Sequence, residues 1–235
     1  MNKRLSKKQM FFNKINLTKD DEIYIGIDVH KKSYSVAIWL NDAPAIDFVM
    51  PADNKKLINL LDKLRIALKM IVYEAGPTGY GLARQLLNAS LPVEVIAPSK
   101  TPRQSARDSK TDQLDCRKLA QYAAKGLLRP IAIPTRLQEA DRQLTRTREQ
   151  QITKQTRVKL QIKGFLLQHN IKEPSGLGSW SINAVNELKT INLSKQLRFS
   201  LDILLEELNF ILTQIKKTEK QLEKIFSEKR HSAKM

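Results

Sequence analysis

The chain has 235 residues, with 41 Lys and Arg against 24 Asp and Glu, and a formal net charge of +17 at pH 7. That length permits one or two domains, and that charge predicts a polyanionic partner, with nucleic acid favoured over an anionic membrane surface. No apolar run approaches the roughly 20 residues of a membrane span, residues 1–21 lack the apolar region of a secretory signal, and the single cysteine, Cys116, excludes an intramolecular disulfide. We therefore expect a cytoplasmic protein that does not enter a membrane.

An alternation of strand and helix signals occupies residues 22–134, after a basic N-terminal extension at 1–21. Asp53 is expected to cap a helix that runs through Lys69, and a second helix is expected from Gly79 to Ser90. The predicted strands are EIYIGID, YSVAIWL, AIDFVM, KMIVYEA and LPVEVIAP. Three strands in a meander followed by helix–strand–helix–strand predict an α/β domain with a mixed five-stranded sheet and flanking helices.

Strand signals stop after residue 134, and residues 135–228 are predicted to form a helical arm, followed by a tail at 229–235. One long helix is expected over 136–170, and a Gly-containing loop at 173–180 separates it from a second long helix. The second helix has apolar residues at alternating spacings of four and three, with one polar interruption at Thr218. They are Leu197, Leu201, Leu204, Leu208, Ile211, Ile215, Leu222 and Ile225. This pattern favours an antiparallel coiled-coil arm, which packs within the chain or self-associates; a single amphipathic helix on the domain surface is the alternative.

Four acidic residues lie where the predicted elements could bring them together. Asp28 ends the first strand and Glu74 ends the fourth, and these strands are neighbours if the meander and crossover follow the usual order. Asp112 and Asp115 share one face of the last helix of the domain, because they are three positions apart. If that helix packs beside the first strand, four carboxylates converge, and Mg²⁺ would relieve their repulsion. The alternative is four ordinary solvated acids, since acid pairs at this spacing are common.

The first long helix of the arm is strongly basic, and few acids balance it locally. A run of cations is usually a solvated face, but this excess also suits contacts with a nucleic-acid backbone. The predicted nucleic-acid-binding residues, together with one cation beside the acidic pair, are Lys110, Arg136, Arg142, Arg146, Arg148, Lys154, Arg157, Lys159 and Lys163. His30, two residues after Asp28, either approaches bound metal or phosphate or only shapes the turn.

Three motifs in this order, GIDVHK, YEAGPTGYGL and DSKTDQLDCRKLA, resemble the N-terminal RuvC-like domain of insertion-sequence transposases. More narrowly, they resemble the family that has a DEDD carboxylate tetrad and is guided by a structured bridge RNA. The resemblance covers about 24–135 well and the arm more loosely. It implies an RNase H/RuvC-like fold, Mg²⁺ as cofactor, DNA and a structured guide RNA as partners, and a catalytic and metal-binding tetrad of Asp28, Glu74, Asp112 and Asp115. Cys116 stands where the family usually has alanine.

The resemblance also implies a second catalytic domain, with a PGIG motif and a serine nucleophile, which this sequence lacks. We therefore expect the N-terminal portion of a DNA transposase, which supplies the Mg²⁺-binding half of the active site and is not competent alone. Its coiled coil would join it to a second copy or to a full-length transposase. One alternative is a non-catalytic DNA- or RNA-binding remnant or interfering partner. Another is an actin-like ATPase, whose first strand also reads like IGID; that group needs a glycine-and-hydroxyl phosphate turn after the aspartate, where HKK follows here.

Overall fold

A six-stranded mixed sheet forms the first of two units, which meet at Pro134 and Thr135. The computed structural model describes residues 6–100 and 112–232. The strands are β1 (Ile23–Val29), β2 (Ser33–Leu40), β3 (Ala43–Pro51), β4 (Leu68–Glu74), β5 (Val93–Ile96) and β6 (Pro130–Ile131). The helices of this unit are α1 (Lys7–Lys14), α2 (Asn54–Asp62), α3 (Gly81–Asn88) and α4 (Asp112–Ala124).

The strand order is β3-β2-β1-β4-β5-β6, so a meander of three strands is extended by parallel crossovers. β1 is parallel to β4, and β4 is parallel to β5, whereas the other neighbouring pairs are antiparallel. The predicted α/β fold with a mixed sheet and flanking helices is confirmed. β6 is a sixth strand that the sequence analysis missed, because two residues are too few to show a period.

Alternation along β1 separates the two faces of the sheet. Ile23, Ile25 and Ile27 are fully buried and pack with α2 and α3 through a core that includes Leu57 and Leu86. The residues between them point to the other face, because successive side chains of a strand alternate. That second face is covered by α4, which packs against β1, β2 and β4.

The helix predicted to extend from Asp53 through Lys69 ends earlier than expected. The Asp53 carboxylate caps it by accepting a hydrogen bond of 3.0 Å from the Lys56 backbone N–H, but the helix stops at Asp62. A tight turn follows, and Leu68 is the first residue of β4. Leu64 is nevertheless fully buried, so the leucine spacing reports a continuous core and not a continuous helix.

The second unit consists of a long helical hairpin closed by a short helix. Its helices are α5 (Arg136–Gln168), α6 (Ile182–Thr190) and α7 (Lys195–Ser232). A capping box between Thr135 and Gln138 starts α5, and α5 packs along α7. Arg148 contacts Glu219, and Gln151 contacts Thr218, so the two helices run antiparallel.

The apolar face of α7 is covered within the chain. Leu201, Leu208, Ile211 and Ile215 are buried in one cluster with residues of α5 and α6. Thr218, the polar interruption, is also buried and donates a 3.0 Å hydrogen bond to the Gln151 side-chain oxygen. The sequence analysis missed α6. In the parts of the chain that the structure covers, no helix has the length and apolar character needed to cross a membrane.

Candidate functional site

Asp28 and Glu74 lie at the same edge of the sheet. The parallel register of β1 and β4 pairs Gly26 with Val72 and Ile27 with Tyr73, so Asp28 and Glu74 follow as the next residues on adjacent strands. Both belong to the face that α4 covers, since each is two positions beyond a residue that contacts α4: Gly26 in one strand and Val72 in the other. The structure thus brings together the first two acids of the predicted tetrad at the carboxyl ends of neighbouring strands.

Helix α4 lies directly on the backbone of β1 at Gly26. A Cβ atom at this glycine would lie 2.0 Å from the Cys116 carbonyl oxygen and 2.6 Å from the Ala120 backbone nitrogen. Ordinary side chains would hold a helix farther from a sheet, so this approach requires glycine. The contact fixes which turns of α4 lie over β1.

The direction of α4 follows from contacts at its two ends. Arg117 contacts Asp47 of β3, which lies in the same row across the sheet as Gly26; burial, followed by the charges of Asp47 and Asp28, raises the pKa of the neighbouring Cys116 thiol to about 12. Farther along, Gln121 lines a pocket with Trp39 and Pro44, and the register partner of Trp39 in β1 is Tyr24, near the start of that strand. Helix α4 therefore runs antiparallel to β1, and its first turn lies toward the carboxyl end of that strand.

Asp112 and Asp115 are both in this first turn. Their position in the fold therefore agrees with the predicted convergence, but their side chains lie outside the described residues. Among the side chains that the structure does describe, no group of three or more His, Cys, Asp and Glu could hold a metal ion. Because half of the tetrad lies outside those side chains, the four-carboxylate site stays a prediction.

His30 contacts one of the tetrad acids and also shapes the turn after β1. Its Nε2 atom lies 3.0 Å from Oδ2 of Asp28, and the two side chains are 45% and 25% exposed. Its backbone N–H donates a 3.0 Å hydrogen bond to the Ser33 carbonyl, which closes the turn into β2. The turn-shaping role of this histidine is thus observed, and its approach to bound metal or phosphate stays a prediction.

An ion pair that the sequence analysis missed joins α4 to the strand β3. The Nε atom of Arg117 donates to Oδ1 of Asp47 at 3.0 Å, and Nη2 of the same guanidinium contacts the same oxygen. The partners are 70 residues apart in the chain. No local pattern connects them, so sequence alone offered no signal for this contact.

The cations predicted to bind nucleic acid divide into two groups in α5. Three of them have partners within the arm: Arg148 pairs with Glu219 at 2.7 Å, Lys163 pairs with Glu173 at 3.8 Å, and Lys159 lies 5.2 Å from the Trp180 ring centre. Arg136, Arg142, Arg146, Lys154 and Arg157 are exposed. Lys110 lies outside the described residues.

Three of the exposed cations form a row on the side of α5 that faces away from α7. Arg142, Arg146 and Arg157 are separated by 4 and 11 positions, which returns to nearly the same face of a helix with 3.6 residues per turn. The buried residues Val158 and Ile162 mark the opposite, α7-facing side. We call Arg142, Arg146 and Arg157 the outward arginine row.

Comparison with known proteins identifies the family. A family profile described as "Transposase", of the DEDD type found in the IS110 group, matches residues 25–171, more than half of the chain. The transposase for insertion sequence element IS1533 of Leptospira borgpetersenii is 28% identical over 206 residues, which are 86% of this chain and 58% of that protein. The y4qE protein of Sinorhizobium fredii, which carries a transposase name, is 28% identical over 178 residues, 72% of this chain and 44% of that protein.

A solved structure of RuvC from Thermus thermophilus aligns with 46% of this chain and 99% of its own, at a TM-score of 0.35 and 12% identity. The chain spans about half the length of the curated relatives that it matches. The resemblance of its three motifs to insertion-sequence transposases is confirmed by the profile match. The chain therefore belongs to the IS110 family of DEDD transposases.

Proposed function

We propose that this portion of a transposase binds DNA and supplies the metal-binding carboxylates for DNA strand cleavage and exchange. Asp28, Glu74, Asp112 and Asp115 are the ligands in this proposal, and Mg²⁺ is the cofactor. The observation that carries it is the placement of α4, which lies on Gly26 and runs antiparallel to β1. This placement directs the first turn of α4 toward the sheet edge where Asp28 and Glu74 end their strands.

The donor set suits a hard divalent cation. Mg²⁺ prefers oxygen ligands and commonly binds one or two carboxylates together with substrate phosphates. When bound, paired ions of this kind activate an attacking oxygen and stabilise a leaving oxygen in phosphoryl transfer. The chain's own contribution is rigid placement, because Asp28 and Glu74 extend from hydrogen-bonded neighbouring strands. His30, at 3.0 Å from Asp28, helps to orient that carboxylate.

The outward arginine row is the proposed contact for the nucleic-acid backbone. Its side chains are exposed and lie along one side of a rigid helix of 33 residues. Fifteen positions separate the first and last arginine, and at 1.5 Å per residue the row spans roughly 22 Å, enough for several phosphates. DNA is the expected partner of a transposase; a structured guide RNA and a second transposase copy are further partners in this proposal.

A metal titration tests the proposal. Mn²⁺ stands in for Mg²⁺, and isothermal titration calorimetry of the whole chain should show binding that Asp28→Asn weakens by at least about tenfold, as the loss of one charged ligand implies. The control is Asp62→Asn, which removes a carboxylate from an exposed ion pair with Arg65 at the end of α2. Binding that is equally strong in the parent and Asp28→Asn would contradict the metal site.

A second titration separates the metal site from nucleic-acid binding. Replacing the outward arginine row with glutamate should lower affinity for duplex DNA and flatten its salt dependence, because fewer counterions are released. The control variant makes the same change of charge at three exposed lysines elsewhere in the second unit: Lys172, Lys189 and Lys195. DNA binding without any Mn²⁺ binding would favour the non-catalytic binding module over the transposase active site.

A further inference from the structure

The Arg117–Asp47 ion pair links α4 to β3, the edge strand that lies on the other side of β1 from β4. Asp47 of β3 pairs in register with Ala37 of β2, and Ala37 pairs with Gly26 of β1. The carboxylate therefore extends from the same row across the sheet as the glycine on which α4 rests. Arg117 reaches it with Nε at 3.0 Å and with a second guanidinium nitrogen.

On the β2 side of Gly26 the contact between α4 and the sheet is made by small groups, whereas Leu119 packs with Val72 and Ile96 on the β4 side. Cys116 and Ala120 pack with Ala37 in a small buried cluster, and the backbone of α4 meets Gly26 directly. Small side chains allow close approach, but they offer shallow ridges, so this side of the contact resists rotation of the helix about its axis less than large interdigitating side chains would. A charged, two-nitrogen contact from the flank restrains both movements, since it has a preferred geometry.

Arg117 is only two residues beyond Asp115 and five beyond Asp112, within the first two turns of α4. A helix this short moves as a rigid body over two turns, so a rotation that displaces Arg117 displaces both aspartates by the same angle. The pair is partly shielded from solvent, because the Asp47 side chain is 21% exposed and that of Arg117 is 48% exposed. It is shielded from solvent more on the strand side than on the helix side.

We propose that Asp47 and Arg117 are positioning residues, which hold the first turn of α4 so that Asp112 and Asp115 face Asp28 and Glu74. This inference rests on the proposed metal site. Neither residue belongs to the predicted tetrad, and neither needs to touch the metal. Their effect on the site passes through the orientation of α4.

The signs of the two single substitutions distinguish positioning from long-range electrostatics. Arg117→Gln removes a positive charge near a cation site, so electrostatics alone predicts tighter Mn²⁺ binding. Asp47→Asn removes a negative charge, so electrostatics alone predicts weaker binding. Positioning predicts that both substitutions weaken binding, because each breaks the same contact.

The experiment is Mn²⁺ titration calorimetry on the full chain with Asp47→Asn, Arg117→Gln and the double variant. Each single variant should weaken binding about tenfold, the lower end of the loss that follows removal of a supporting contact. The double variant should be no weaker than either single one, since the two residues act as a unit. Arg117→Lys, which keeps the charge but not the two-nitrogen geometry, should give an intermediate loss.

Thermal unfolding, the Asp62→Asn control and the Asp28→Asn titration keep the outcomes separate. Thermal unfolding without metal reports any general destabilisation. Asp62→Asn breaks a surface ion pair at the end of α2, which packs on the opposite face of the sheet from α4, and should leave Mn²⁺ affinity unchanged. Parent-like or tighter binding in Arg117→Gln, with binding still weakened by Asp28→Asn, would overturn the inference alone. Parent-like binding in Asp28→Asn would overturn the metal site and the inference with it.

Discussion

Adding a single methyl group at Gly26 should unseat α4 from the sheet. The new Cβ would lie 2.0 Å from the Cys116 carbonyl oxygen, about 1.4 Å closer than the 3.4 Å at which ordinary van der Waals contact begins. A second obstacle, the Ala120 backbone nitrogen, lies 2.6 Å away. Both are backbone atoms, so no rotamer change can make room, and the helix or the strand must move.

The size of the effect follows from this geometry. Overpacking a well-packed core usually costs about 1–3 kcal/mol, and the upper end applies where the surroundings cannot yield. We expect Gly26→Ala to lower the free energy of unfolding of the first unit by about 3 kcal/mol. For a unit of this size, that loss corresponds to a fall in the melting temperature on the order of 10 °C.

Tryptophan fluorescence makes the assay specific to the first unit. The chain has two tryptophans; Trp39 packs against the cluster of Cys116 and Ala120, so a Trp180→Phe background reports only on the unit that contains α4. The urea midpoint of Gly26→Ala should fall while the slope stays constant.

Gly81→Ala is the matched control for this measurement. A Cβ at Gly81 meets no heavy atom within 4 Å, so the change should alter stability by less than about 0.5 kcal/mol. A Gly26→Ala variant with the urea midpoint of the parent would refute the close packing of α4 on β1. It would also remove the main support for convergence of the acids.

Two further predictions concern the arm and the buried thiol. Leu208→Lys should destabilise the second unit strongly and lower its helicity by circular dichroism, because Leu208 is 2% exposed and faces α5. Phe210→Lys is the control on the outer face, where Phe210 is 64% exposed, and should leave helicity nearly unchanged. Equal effects of the two substitutions would place the packing face elsewhere. The pKa of Cys116 is raised from 9.0 to about 12, so only the unfolded chain ionises this thiol between those values, and stability present below pH 9 should decline as pH rises toward 12. Cys116→Ala should reduce this alkaline loss in urea midpoints measured from pH 8 upward, and an unchanged pH slope would assign the loss to other groups.

The sequence predicted the main strands of the sheet because each combines β-branched or aromatic residues with turn residues or a change of pattern at its ends. From β1 and β4 alone, the meeting of Asp28 and Glu74 at one edge could be predicted, since adjacent parallel strands end together. The end of α2 could not be predicted. Leucines at helical spacing continue past Asp62 into the turn and β4, and a shared core maintains that spacing in both kinds of structure.

Tertiary partners far apart in sequence account for most of what was missed. Arg148 belongs to the basic helix by composition, yet Glu219, 71 residues away, engages it within the arm. Arg117 and Asp47 likewise meet only after the sheet and α4 have assembled. The sequence therefore identified a basic helix and predicted an acidic constellation. Which cations remain exposed, and what holds α4 in place, required the folded chain.

The most direct test of the metal site is anomalous diffraction from crystals of the chain soaked in Mn²⁺. We predict an ion within coordination distance of a carboxylate oxygen from Asp28 or Glu74 and of another from Asp112 or Asp115. Both aspartates of α4 should face the ends of β1 and β4 in that structure. Ions bound only elsewhere, or Asp112 and Asp115 pointing away from Asp28, would contradict it.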